Sequence, residues 1–489
     1  MTLRSGTTLL FLALLLPFAK AQTAATPIAA APTPTASPAP APPPTTPPPS
    51  IDGAWLGTLD LGATKLRIVF HITSTASGLS ATLDSPDQGA SGIPTSSVTR
   101  TTAPDGTDTL TIEAAALHGT FTGTIAKDRT AITGTWTQGP GTIPLTLTPV
   151  KDVATIAAPR RPQNPTKPYP YKSIDLTYTN PTQHDTLAAT LTIPEGAGPF
   201  PAVLLITGSG PQDRDETLLG HKPFLVLSDY LTRHGIVVLR ADDRGTGQST
   251  GDFNTATSAD FATDAEAGIA LLKTRPEVDP ARIGLIGHSE GGLIAPMIAA
   301  RNKSVAFIVL LAGPGVPGSQ IIPEQTRLID RASGMSADQA EKAAADERKL
   351  LDLVIKDKDP AVLETDLRAQ LIADNMPSAQ IDASIKTLTS PWFRYFITYD
   401  PATALRHVTC PVLALNGSND LQVPPSQNLP AIEAALIEAG NTHYDTIQMP
   451  GLNHLFQTSA TGSPADYARI EETISPVVLA KIAFWIREQ

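Results

Sequence analysis

Residues 282–300, "RIGLIGHSEGGLIAPMIAA", constrain the chain more than any other stretch. A short apolar run ends in a serine fenced by glycines, and a run of small residues follows. Gly287, Ser289 and Gly291 form G-x-S-x-G between a strand-like "IGLI" and a helix-like "GGLIAPMIAA". A nucleophile in this setting stands at the tip of a strand-to-helix turn with strained backbone angles. Side chains two positions to either side would collide, so glycine is needed at both. Pro296 removes one backbone bond from the following helix and is expected to kink it. Whether Ser289 is a nucleophile or only a polar residue in a connection is decided by the rest of the chain.

From about residue 171 the chain alternates two patterns. "SIDLTYT" and "TLAATLTIP" read as a leading antiparallel pair. "PAVLLITG", "GIVVLRAD", "RIGLIGHS", "AFIVLLAG", "CPVLALNG" and "YDTIQMPG" are short β-rich apolar runs with helical stretches between them. In "TSADFATDAEAGIALLKTRPEVD", Phe261, Ala265, Ile269 and Leu272 share one helical face. Thr257 or Ser258 can cap its start, and Pro276 bars its continuation. This alternation predicts an α/β domain with a mostly parallel sheet covered on both faces. Residues 314–406 break the rhythm. They lack strand-like runs and carry helical ones, such as "SADQAEKAAADERKLLDLVIKD". An insertion there would sit above the carboxyl ends of the strands, where open α/β sheets bind ligands, and it reads as a cap.

The first third differs. At 489 residues the chain exceeds one ordinary core, so two folded domains are expected. Residues 1–21 read as a signal peptide: Arg4 precedes the apolar "TTLLFLALLLPFA", too short for a membrane span, and Ala19 and Ala21 offer a cleavage site. The protein is therefore expected to be exported, to the periplasm or the medium, with no integral span after cleavage. Residues 22–50 are almost all Pro, Ala, Thr and Ser, an extended spacer that cannot bury enough apolar surface to order itself. Residues 51–150 alternate with period two: Leu66, Ile68, Phe70 and Ile72 stand against Lys65, Arg67 and His71. Similar runs follow, separated by turn residues, so a small all-β sandwich or barrel is expected, with Trp55, Phe121 and Trp136 in its core. Residues 151–170 are a second, Pro-rich and basic linker. The net charge of −11 excludes nucleic acid as a natural partner. The lone cysteine, Cys410, cannot form an internal disulfide and is expected as a buried thiol at a strand edge.

A serine hydroxyl needs a base, and the base needs a group to orient it. His454, in "MPGLNHLF", follows the last strand-like run, where a loop can reach back to the serine. His443 and His407 precede runs, and His288 must point away from its neighbour. Asp420, in the loop after "CPVLALNG", is the expected acid, with Asp445 as the alternative. The oxyanion of a tetrahedral intermediate needs two backbone N–H donors. Glu290 directly follows the nucleophile, and Ser209 lies in the Gly-rich loop "LLITGSGPQDRDE". The Glu290 side chain either holds a neighbouring loop or binds a cationic substrate group. Asp243 and Arg244 read as loop braces, since "ADDRGTGQSTGD" lacks the phosphate-binding pattern. No H-E-x-x-H and no cysteine cluster occurs, so neither metal nor cofactor is expected.

"GSGPQDRDE", "DDRGTGQSTGDF", "GHSEGGLIAP" and "LNGSNDLQVP…GLNHLFQ" together resemble exported bacterial serine esterases of the α/β-hydrolase superfamily, in the serine-aminopeptidase-like hydrolase group. The resemblance covers residues 171–489. It implies an α/β-hydrolase fold, with Ser289 as nucleophile, Asp420 as acid and His454 as base. It also implies hydrolysis of small carboxylic esters with short acyl chains. The usual His-Gly ahead of the oxyanion loop is replaced by Thr207-Gly208. Residues 51–150 resemble the β-rich module found before such hydrolases, and no catalytic residue carries onto them.

Three functions follow. The first is a carboxylesterase whose cap, including "SPWFRYF", shapes a pocket. The second is a peptidase with the same triad, which would need an acidic group, such as Glu290, Glu216 or a cap residue, to hold a free amine. The third is a surface-binding protein with an inactive hydrolase domain. Trp392, Phe393 and Phe396 fit either pocket lining or helix packing.

Overall fold

The computed structural model describes residues 50–489 apart from 62–64, 77, 89, 139–140, 153–155, 157–159, 358, 375 and 377. The expected signal peptide and nearly all of the spacer fall on residues 1–49, outside the described residues.

The first unit is one antiparallel sheet. Its strands are β1 (Gly53–Asp60), β2 (Lys65–Thr75), β3 (Gly78–Ser85), β4 (Ala90–Pro94), β5 (Ser97–Thr102), β6 (Asp108–Ala114), β7 (Gly119–Ile125), β8 (Ile132–Gln138) and β9 (Gly141–Val150). Their order is β4-β3-β2-β1-β9-β8-β7-β6-β5, and β3 also approaches β5, so the sheet curls back on itself. It is barrel-like rather than two stacked sheets. Period two explains the core. Leu66, Ile68, Phe70 and Ile72 all point inward and are buried. Phe70, on β2, meets Phe121 of β7 at 5.8 Å and Trp136 of β8 at 6.2 Å, ring to ring.

The second unit opens with β10 (Lys172–Thr179), β11 (Thr186–Ile193), β12 (Phe200–Ile206), α1 (Pro223–Arg233), β13 (Val237–Ala241), α2 (Ser258–Lys273), β14 (Val278–His288), α3 (Glu290–Arg301) and β15 (Phe307–Leu311). Six helices then intervene: α4 (Gly318–Ala332), α5 (Ala337–Lys356), α6 (Pro360–Ala373), α7 (Ser378–Leu388), α8 (Pro391–Thr398) and α9 (Ala402–Leu405). The sheet resumes with β16 (Val412–Gly417), α10 (Pro425–Glu438) and β17 (Tyr444–Met449), and α11 (Pro476–Arg487) closes the chain. The strand order is β10-β11-β13-β12-β14-β15-β16-β17, antiparallel at β10 and β11 and parallel from β13 onward. This is an α/β-hydrolase sheet, with the Ser289 turn after its fifth strand.

Local sequence explains the elements. Along β12, Ala202, Leu204 and Ile206 join the core beneath α2 and α3, while Val203 and Leu205 join the opposite core beneath α1 and α11. Both faces are buried, which is why this strand reads as a continuous apolar run. Helix α2 starts in a capping box, Thr257 with Asp260, and ends three residues before Pro276. Helix α5 starts in another, Ser336 with Gln339. Cys410 lies just before β16, and burial pushes its thiol up to about 11.

The two units share a core. Leu219, Leu455, Tyr467 and Ala468 of the α/β unit pack into the apolar cluster of the β unit. In the linker, the Arg161 guanidinium donates to the carbonyls of Leu219 (2.8 Å), Ala468 (2.8 Å) and Ile470 (3.0 Å). Among the described residues no helix is long and apolar enough to cross a membrane.

Candidate active site

Ser289 sits between β14 and α3 at φ +51° and ψ −116°. A positive φ is rare for a side chain with a Cβ and marks stored strain. The turn is closed on every side. A Cβ on Gly287 would lie 2.0 Å from the Gly291 carbonyl oxygen, and one on Gly291 2.1 Å from that of Ile206. Only glycine lets β14, α3 and β12 approach this closely. Helix α3 continues through Pro296 to Arg301, so the proline does not end it.

His454 and Asp420 come from the loops after β17 and β16. The His454 Nδ1–H donates to Asp420 Oδ2 at 2.9 Å, which leaves Nε2 as the acceptor. The other Asp420 oxygen accepts from the N–H groups of Gln422 (2.8 Å) and Val423 (2.9 Å). Both residues are buried, and His454 lines one cavity together with Ser289 and Ser209. The other acid considered, Asp445, lies on β17 and accepts from the Trp485 indole at 3.2 Å. His443 and His407 lie on the chain entering β17 and β16, and neither lines this cavity.

The expected oxyanion donors flank Ser289. Glu290 is the first residue of α3, where an N–H has no intrahelical acceptor. In the loop after β12, the Gly208 N–H is committed to Glu216 Oε1 at 2.8 Å. No acceptor among the described residues takes the next N–H, that of Ser209. The loop is braced without the usual histidine. The Thr207 hydroxyl donates to Asp243 Oδ1 at 2.7 Å, and the other Asp243 oxygen accepts from the Gln212 N–H at 2.9 Å. Burial, with Glu290 and Glu216 nearby, holds the Asp243 carboxyl well above the usual carboxylate range. Arg244 ties Asp264 (2.7 Å) to Gln183 (2.9 Å).

His288 and Glu216 form a brace with no short-range sequence signal. His288 Nδ1 meets Glu216 Oε1 at 2.9 Å, and Nε2 meets the backbone oxygen of His454 at 3.2 Å. Both partners present oxygen acceptors, an arrangement that favours a proton on each ring nitrogen, the imidazolium form. Burial opposes that charge, but the Glu216 carboxylate outweighs it and His288 is raised above 6.5. The stabilisation is therefore fully present below the unfolded pKa of about 6.5 and is lost as pH rises through the folded value. The melting-temperature gap between wild type and His288→Gln is expected to be widest below pH 6.5 and to narrow above it. The gap should correspond to about 1.5–3 kcal/mol, as for a hydrogen bond to a charged group.

The cap closes the cavity. Glu290 Oε1 accepts from the Ser258 hydroxyl (2.6 Å) and the Trp392 indole (2.8 Å), so it ties the elbow to α2 and α8. That is the loop-holding role. The three aromatics of "SPWFRYF" divide. Trp392 and Phe396 stack at 5.4 Å and line the cavity, while Phe393 is fully buried within the cap. Helix α5 adds Glu347 to the cavity wall. Its signal was present: Ala340, Ala344, Glu347, Leu351 and Val354 recur at helical spacing and are all buried. A glutamate thus occupies an apolar stripe.

Residues 183–435 match the model of the X-Pro dipeptidyl-peptidase (S15 family). The chain belongs to this family. The S15 match runs from the turn before β11 to within α10, so it includes the elbow and Asp420 but ends before His454. Esterase EstD of Thermotoga maritima is 27% identical over 302 residues, covering 61% of this chain and 65% of the relative. Thiohydrolase apmlB of Arthrinium phaeospermum is 36% identical over 97 residues, 19% of this chain and 31% of the relative. The chain thus spans less than two thirds of either. Among solved structures, a hypothetical protein from Pseudomonas aeruginosa aligns over 67% of this S15 chain and 96% of its own, at 18% identity and TM-score 0.42. An esterase from Pyrococcus furiosus aligns over 65% and 93%, at 14% identity and TM-score 0.40.

Proposed function

We propose that this protein is an exported serine hydrolase that cleaves short-chain carboxylic esters through an acyl-enzyme on Ser289. The observation that carries the reading is the meeting of three chain segments at one cavity. They are the positive-φ elbow of Ser289, the Asp420–His454 pair at 2.9 Å and the N–H of Ser209, which has no acceptor among the described residues. In this reading His454 Nε2 takes the Ser289 proton as the hydroxyl oxygen attacks the ester carbonyl. The N–H groups of Ser209 and Glu290 hold the oxyanion. Collapse expels the alcohol, which takes its proton from His454, and water then releases the acid by the reverse steps. Asp420 fixes the His454 tautomer. The cavity has a volume of about 40 Å³, room for about three waters, which favours short acyl groups. The name of EstD supports an ester.

A peptidase using the same residues is the second reading, favoured by the family match. The test is turnover of p-nitrophenyl acetate, butyrate and octanoate beside aminoacyl p-nitroanilides, with a fluorophosphonate used to label the protein. The expected result is ester turnover falling with chain length and label on Ser289. Cleavage of anilides without esters would establish the peptidase. Turnover with label elsewhere would overturn the assignment of Ser289.

A further inference from the structure

Glu347 is out of place unless a substrate completes its surroundings. It lies on α5, is 2% exposed, and lines the cavity that contains Ser289 and His454. Its Oε1 has no hydrogen-bond partner among the described residues. The basic residues nearby in sequence are engaged elsewhere: Lys342 and Lys349 with Asp346, and Arg348 with Glu341. Burial drives the Glu347 carboxyl up to about 7, and the like-charged Asp374 adds to the shift. The other carboxylates at the site differ. Glu290 accepts from the Ser258, Trp392 and Ser209 side chains, Asp420 has His454 and two backbone N–H groups, and Glu216 holds the Gly208 N–H and His288 through one of its oxygens. The cavity walls around Glu347 are Ile321, Ile322, Trp392, Phe396 and Val423, with the neutral Gln325, Thr326 and Gln422. Burying an ionisable group in such walls without a partner is strongly unfavourable. A local rule broken at a functional cavity marks a place where a ligand supplies what the protein lacks.

We propose that Glu347 determines substrate specificity by pairing with an ammonium group on the part of the substrate that enters under the cap. This rests on the reading of Ser289 as nucleophile and deepens it. The preferred esters then carry a protonated amine on either their acyl or their alcohol portion, within reach of α5 while the carbonyl sits at Ser289. A charged pair formed in this apolar enclosure is worth more than the same pair in water. A neutral isostere leaves the carboxyl unsatisfied, so discrimination comes from both sides.

The test uses isosteric pairs. p-Nitrophenyl alaninate against p-nitrophenyl isobutyrate places the ammonium in the acyl portion. 2-(Dimethylamino)ethyl butyrate against 3-methylbutyl butyrate places it in the alcohol. Wild type is expected to prefer the cationic member of one pair by about tenfold or more in kcat/KM. Glu347→Gln and Glu347→Leu should erase that preference, lowering kcat/KM on the cationic ester about tenfold or more relative to the neutral one. Removing an unpaired buried charge does not threaten folding, so both variants should melt at or above wild type. Propylammonium provides a readout independent of turnover. It should raise the melting temperature of the Ser289→Ala protein and fail to do so when Glu347→Gln is added. Equal rates for both members of both pairs, or equal loss on cationic and neutral esters in the variants, would overturn the proposal. If no ester is cleaved by wild type, the esterase reading fails, and propylammonium alone then decides Glu347: protection lost with Glu347→Gln supports the site, and no protection overturns it.

Discussion

Replacing Ser289 by alanine is expected to lower kcat by about a million-fold while the melting temperature stays within about two degrees of wild type. The two halves of this result have separate causes. In the proposed mechanism the rate falls because the hydroxyl oxygen is the atom that forms the acyl bond. What survives is transition-state binding by the backbone donors, worth about 10³–10⁴-fold over water in such sites. Stability is spared because the Ser289 side chain does not cap α3 and has no hydrogen-bond partner among the described residues. The strain at φ +51° belongs to the backbone and is the same for alanine. Asp420→Asn makes a useful companion, with a loss of about 10⁴-fold, because an amide can donate to Nδ1 and favours the wrong His454 tautomer. A Ser289→Ala protein that retained a tenth of wild-type turnover would remove the acyl-enzyme from the mechanism. Differential scanning fluorimetry on the same samples separates lost chemistry from lost fold.

Much of this site is legible in the sequence because its logic is local. The G-x-S-x-G turn needs glycine for contacts made within a few residues, and a strand-turn-helix pattern announces it. Asp420 and His454 follow strand-like runs, so a parallel sheet brings their loops to one edge. The braces are not local. Glu216 and His288 are 72 residues apart, and neither residue type at its position distinguishes a hydrogen-bonded pair from solvated side chains. The curl of the β unit is likewise hidden. Period two fixes which side chains face inward, but the β1–β9 pairing at the middle of the sheet joins strands from opposite ends of the unit's sequence. Helix α5 shows a third kind of loss. "AEKAAADERKLLDLVIK" is so rich in charge that Glu347 passes for part of a solvated face, and only the stripe of alanines and leucines around it shows otherwise.

The loop that carries His454 packs against the β unit, and Leu455→Ala should show whether that packing places the proposed base. Leu455 follows His454 directly and is buried in the apolar cluster of the β unit. Tyr467, in the same cluster, accepts from the Gln422 side chain at 3.0 Å, and Gln422 is bonded through its own N–H to Asp420. Its backbone oxygen meets His221 Nε2 at 3.0 Å, and His221 also contacts Thr473 and Gln457. Both loops behind the proposed acid and base are therefore fixed against a surface supplied by residues 51–150. Truncating a buried leucine costs about 2–5 kcal/mol, and at this position part of that cost falls on the placement of the imidazole. A displacement of about 1 Å can cost about 100-fold in rate. We expect Leu455→Ala to lower kcat by about 10- to 100-fold with KM within about threefold, at a temperature where the variant remains folded. Ile112→Ala, on β6 in the same cluster, is the control. It should lower the melting temperature by a similar amount and leave kcat unchanged. Equal kcat losses in the two variants would mean that the β unit stabilises the molecule without placing His454. An unchanged kcat in Leu455→Ala would mean that the histidine loop holds its geometry unaided.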